Sequence, residues 1–206
     1  MTVADHPLAG LRAAVERGRQ VRAGERCEMC AEPVAPEHRH VVDTTERTLK
    51  CLCQPCFLLF SDGAAAGRYR QVPTRYAALA ADGIDDATWD ALAIPVALAF
   101  FFHSTVSGAP AAFYPGPAGA TESLLPLEAW QAVLQRNPAF ADTAPDVEAD
   151  LVRRTATGSE SFIVPIDACY ELVGRLRMHW NGFDGGAEAH AEVEKFFARV
   201  REQVRA

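Results

Sequence analysis

The chain has 206 residues, 49% of them hydrophobic and 23% charged, with a formal net charge of −7. This composition is long enough to bury a core and excludes a mainly disordered chain. Residues 1–75 carry 11 Lys and Arg against 9 Asp and Glu, and residues 76–206 carry 9 against 18, so the acidic C-terminal part argues against a broad nucleic-acid surface, which needs clustered cations.

Residues 1–25 begin with Leu8, Leu11 and Val15 at helical spacing, which predicts a short N-terminal helix. That segment lacks an apolar run followed by a small-residue cleavage site, and no stretch reaches the roughly 18 apolar residues of a membrane span. A cytoplasmic location is therefore expected.

Residues 26–62 form a cysteine module. Five of the six cysteines fall between Cys27 and Cys56, and in a reducing compartment such clustering points to metal before disulfides. The motif is Cys27-Glu-Met-Cys30, then His38-Arg-His40-Val-Val-Asp43, then Cys51-Leu-Cys53-Gln-Pro-Cys56. Each C-x-x-C turn presents two thiolates to one ion, so Cys27, Cys30, Cys53 and Cys56 are the expected ligands. Zinc suits four thiolates in a tetrahedron. The stretches HRHVVD and TLKCLC are β-like and predict a hairpin turning at Thr45 and Glu46. In that register His40 lies opposite Cys51 and His38 opposite Cys53, and strand alternation puts all four on one face. Cys51, His38 and His40 then become candidates to replace a ligand, to support one, or to begin a second site.

Two other readings share this motif. Paired C-x-x-C knuckles also describe a rubredoxin-like iron centre, although Ala31 and Phe57 stand where such knuckles favour glycine and a positive φ. The frame also resembles that of zinc-stapled HNH nucleases, with His38 or His40 as base, yet Phe-Leu-Leu-Phe follows Cys56 without the His or Asn that a catalytic cation requires.

The Gly- and Ala-rich stretch 61–76 is read as a linker, and residues 76–206 as a mixed α+β domain. Asp85 or Asp86 is expected to cap a helix ending near Leu92. IPVALAFFF, residues 94–102, has the continuous apolar character of a strand buried on both faces, and residues 111–114 are expected to pair with it. The Gly-rich PGPAGATES lacks the Gly-Lys-Ser/Thr ending of a phosphate loop and is read as a connector. A helix is expected over 127–136, then a hairpin of 151–155 with 161–164 about Gly158.

Helical spacing of Cys169, Leu172, Val173, Leu176 and Trp180 predicts a helix from Asp167, and a last helix covers 187–204. On that stripe Cys169 reads as a buried structural thiol. His103 and His179 read as packed or hydrogen-bonded histidines, and the loop 179–186 as a turn or a partner-binding surface. No Ser/His/Asp arrangement or catalytic carboxylate pair is evident, so an enzyme is not expected.

Taken together, CEMC, EHRHVVD, CLCQPCFLLF, IPVALAFFF, FYPGPAGATES, APDVEADLVRR and IDACYELVGRLRMHWNGFDGG resemble an uncharacterised accessory family encoded beside actinobacterial-type uptake nickel-iron hydrogenases. The resemblance spans about residues 26–197. It implies a non-catalytic role in hydrogenase maturation, assembly or electron delivery, with a hydrogenase subunit or maturation factor as partner. The expected architecture is a zinc-ribbon-like hairpin module followed by an α+β domain.

Overall fold

A computed structural model describes residues 25–61, 67–79, 84–124, 126–156, 158–182 and 185–205. The helix expected over residues 1–25 lies almost wholly outside them. The fold is α+β, with two antiparallel sheets and the cysteine-rich region built around the first.

That first sheet has three strands. β1 (Arg39–Asp43) and β2 (Thr48–Leu52) form the hairpin, and β3 (Tyr69–Gln71) adds to the free edge of β1. The hairpin register pairs His40 with Cys51, as the motif predicts. Asp43 fixes the turn. Its Oδ1 accepts from the backbone N–H groups of Thr45 and Glu46, both at 3.1 Å, and Arg68 grips the same buried carboxylate at 2.8 Å. The Arg68 guanidinium holds the Asp43 carboxyl below its usual range against the opposing effect of burial. Because β3 carries an edge of this sheet, the stretch read as a linker contributes a strand: Tyr69 to Gln71 supply the alternating donors and acceptors that β1 would otherwise leave unpaired.

The second sheet has six strands in the order β4-β9-β8-β5-β6-β7, all antiparallel. They are β4 (Ala77–Leu79), β5 (Leu98–Ser104), β6 (Ala109–Gly116), β7 (Gly119–Ser123), β8 (Glu148–Thr155) and β9 (Gly158–Pro165). Helices cover both faces. On one side, α4 (Ile166–His179) and α5 (Gly186–Arg205) pack with Leu98, Phe100, Leu151 and Val164. Opposite them, Ala99, Phe101, Val152 and Ile163 meet Trp89 of α2 (Asp86–Ala91), Trp130 of α3 (Leu127–Arg136) and Phe140 of the 3-10 turn Pro138–Asp142. Strand alternation sends successive residues of β5 into different cores, which explains its unbroken apolar run.

Several expected boundaries move. β5 starts at Leu98 rather than Ile94, since Pro95 has no N–H for a ladder and residues 95–97 bend. The segment read as a connector instead makes β7: Gly116 pairs with Gly119, whose φ of +121° allows a tight reversal closed to other residues. Asp85 caps α2 by accepting from Thr88 N at 2.7 Å, as expected. Cys169 is wholly buried, and burial pushes its thiol well up. His103 is exposed on β5, and His179 ends α4 beside Glu188. After α4 the chain turns by hydrogen bonds, Trp180 Nε1 donating to Gly182 O and Asn181 N to Gly185 O, each at 3.0 Å.

The hairpin leans on the larger domain. Val41 and Leu52 face the cysteine module's own core, whereas Val42 and Leu49, opposite in alternation, pack on the core under α4 and α5 with Val72. Arg70 reaches Asp146 at 2.9 Å and Arg75 clasps Glu148 through two bonds of 2.9 and 2.7 Å. The module and domain thus share apolar and ionic contacts. Among the described residues no helix is long and apolar enough to cross a membrane.

Candidate metal centre

The first C-x-x-C pair sits in a tight reversal before the hairpin. Ala31 N donates to Cys27 O and Cys27 N to Glu32 O, each at 2.8 Å, while a bridge joins Arg26 to Pro33. Ala31 has a φ of +62°, so the left-handed turn that favours glycine is made here by alanine. Glu28 ties this turn to β2: its N–H donates to Cys51 O at 2.9 Å, and its Oε2 accepts from Cys51 N at 2.7 Å.

The second pair is built differently. β2 ends at Leu52, and Cys53 immediately precedes α1 (Gln54–Ser61), with Cys56 in its first turn. Phe57 N donates to Cys53 O at 2.9 Å, and Pro55 is tolerated because an N–H in the first turn has no helical partner to lose. The second pair therefore opens a helix, and Phe57 needs no positive φ.

These elements bring Cys27, Cys30, Cys53 and Cys56 together with all four sulfurs within 4.8 Å of one another. Cys30 Sγ and Cys53 Sγ are 3.6 Å apart. A tetrahedral ion with metal–sulfur bonds of about 2.3 Å separates its ligands by about 3.8 Å, while a disulfide needs about 2.0 Å, so the spacing fits coordination and not a bridge. The donor set also fits electronically. Burial would raise the Cys27 thiol, yet backbone N–H groups of Cys53, Cys30 and Met29 donate to its sulfur and bring it down to about 6. Burial and the crowding of neighbouring thiols push Cys56 far up. Four thiols this close cannot all ionise alone, and a bound cation removes that conflict. The four residues could hold a metal ion that excludes water from its ligand positions.

The expected single face of four residues divides at the strand end. His40 and Cys51 share the face of the hairpin carrying Val42 and Leu49, and with His38 their ligand atoms form a separate group within 4.8 Å. Cys53 leaves that face because alternation stops at Leu52, where the chain turns into α1. Cys51 does not belong to the four-thiol group. Two partners of the site escaped the sequence reading: Glu28, which binds the backbone beside Cys51, and Asp167, whose Oδ2 lies 2.8 Å from His40 Nδ1. Only the position of Glu28 inside the first C-x-x-C hinted at its role.

Fold and site together define the class: a module with a four-cysteine cluster that could hold a metal ion, docked through its hairpin on a helix-covered antiparallel sheet. Residues 26–204 match the family of unknown function DUF5947, and the chain belongs to that family. No curated protein and no solved structure matches it.

Proposed function

We propose that this chain is a non-catalytic accessory protein in which a structural zinc ion, held by Cys27, Cys30, Cys53 and Cys56, fastens the module so that module and domain present one surface to a nickel-iron hydrogenase subunit or maturation factor. The carrying observation is the convergence of four sulfurs from a tight turn and a helix start. A closed four-thiolate shell with no vacant position favours a staple over a reactive centre. Zinc is favoured over iron because the second pair is a helix start and not the second knuckle of a rubredoxin-like centre. Exposed Leu58 and Leu59 on α1 give the module an apolar contact surface. The hydrogenase setting rests on the motif resemblance given above.

Metal analysis and an absorption spectrum, on protein purified without added metal, test the centre. Colourless protein retaining zinc supports the reading, and a red iron-thiolate chromophore overturns it in favour of an electron carrier. Co-purification from the native host tests the partner: hydrogenase subunits or maturation factors retained by the wild-type chain support the assignment, and their absence overturns it.

A further inference from the structure

The cluster of His38, His40 and Cys51 is separate from the four-thiol group and plays no part in the staple. His40 and Cys51 are cross-strand partners, and the His38 ring lies 4.6 Å from the His40 ring, centre to centre. Both imidazoles are oriented through Nδ1. His40 Nδ1 is 2.8 Å from Asp167 Oδ2 in the first turn of α4, and His38 Nδ1 is 2.9 Å from Ala35 O and 3.4 Å from Glu25 Oε2. Carboxylate and carbonyl oxygens accept, so each Nδ1 carries the donated proton, which leaves Nε2 as the ring nitrogen that can offer a lone pair to a metal.

His38 Nε2 is buried with no hydrogen-bond partner, in a side chain only 7% exposed. A buried acceptor left empty is unfavourable, so this atom calls for a partner. Two imidazoles locked in the ligand tautomer beside a thiol are what a metal ion requires, and a ring backed by a carboxylate is a recurring support for a metal-bound histidine.

We propose that His38 and His40, through Nε2, and Cys51, through Sγ, form a second metal site for a late first-row divalent ion of the zinc, nickel and copper class. Two imidazoles and one thiolate select this borderline-soft class over magnesium or calcium. Three protein ligands leave one position of a tetrahedron open, so this site can accept a further ligand where the four-thiolate site cannot. Asp167 is a positioning residue supplied by the larger domain, so filling the site also tightens the seat of the hairpin on α4. The inference does not depend on which metal the four cysteines hold.

The test uses the full chain titrated with Co2+, whose thiolate charge-transfer bands report coordination, and with Zn2+ for stoichiometry after dialysis. The expected result is two ions per native chain, and one in Cys51→Ser and in the His38→Ala/His40→Ala double variant. Asp167→Asn, which keeps the shape of the contact, is expected to weaken the second ion by about 10–100-fold and leave the first unchanged. One ion per native chain, retained in Cys51→Ser and lost in Cys27→Ser, overturns this inference and leaves the four-cysteine reading intact. A second ion that survives both Cys51→Ser and the double histidine variant is adventitious and also overturns it. A single ion lost in Cys51→Ser but kept in Cys27→Ser supports the second site and removes the first. A native chain that binds neither metal overturns both.

Discussion

The cysteine module and the six-stranded domain solve the same problem of stability in opposite ways. Among the described residues the module's own core holds Cys27, Val41, Leu52 and Phe57, with Met29, Val34, Cys53, Cys56 and Tyr69 partly buried against them. The domain has two extensive cores, one on each face of its sheet, with Phe100 and Leu151 facing α4 and α5 and Phe101 and Val152 facing the aromatic side chains of α2 and α3. Burial at roughly 25 cal/mol per Å2 can hold the domain, but so few apolar side chains cannot offset the ordering of the module's backbone. A metal held by the four thiols, as proposed, would stand in for the missing core.

The sharpest way to break this contrast is to remove the metal proposed for the four thiols. Chelation or Cys53→Ser is expected to unfold the module, because a structural zinc site contributes about 10–16 kcal/mol to the folding of small modules. The domain's thermal transition should persist, and Cys51→Ser should leave the module folded. Calorimetry with hydrogen exchange checks this: loss of protection throughout the chain after chelation would mean that the two regions are one cooperative unit.

A smaller effect comes from the other side of the comparison. Phe101 is fully buried and stacks on Trp130 with ring centres 4.5 Å apart. Phe101→Ala should cost about 3–5 kcal/mol of domain stability by leaving a cavity. Denaturant unfolding measures the loss, and metal content should stay unchanged.

A further effect sharpens the contrast through pH. Burial raises the Asp150 carboxyl to about 8, overcoming the 2.5 Å hydrogen bond from Thr143 Oγ1, with Glu148 adding to the rise. An unfolded aspartate titrates near about 3.9, so the folded chain holds the extra proton between these values. Its contribution is full below about pH 4 and is lost as pH rises through about 8. Asp150→Asn should remove this slope and gain melting temperature over the wild type at pH 9 relative to pH 5. Each kcal/mol corresponds to about 2–4 °C for a domain of this size. Parallel melting curves at both pH values would show that Asp150 does not titrate in this window.

Much of the domain was legible because its signals are local. The stripe of Cys169, Leu172, Val173 and Leu176 marks α4, and the apolar run before His103 marks a strand buried on both faces. Gly119 misled because the segment around it has loop composition, while its positive φ serves a tight hairpin. Tyr69–Gln71 looked like linker because a three-residue strand lacks a period long enough to read.

By itself the sequence determined which four thiols meet and that His40 faces Cys51, since C-x-x-C spacing and strand alternation are properties of the local chain. Only the tertiary structure decided that Cys53 parts from Cys51 where β2 gives way to α1. It also decided that Asp167, 127 residues beyond His40, orients that ring. A hydrogen bond across that separation exists only because Val42, Leu49 and Val72 seat the hairpin on the core beneath α4. No local pattern encodes the position of one packed surface on another.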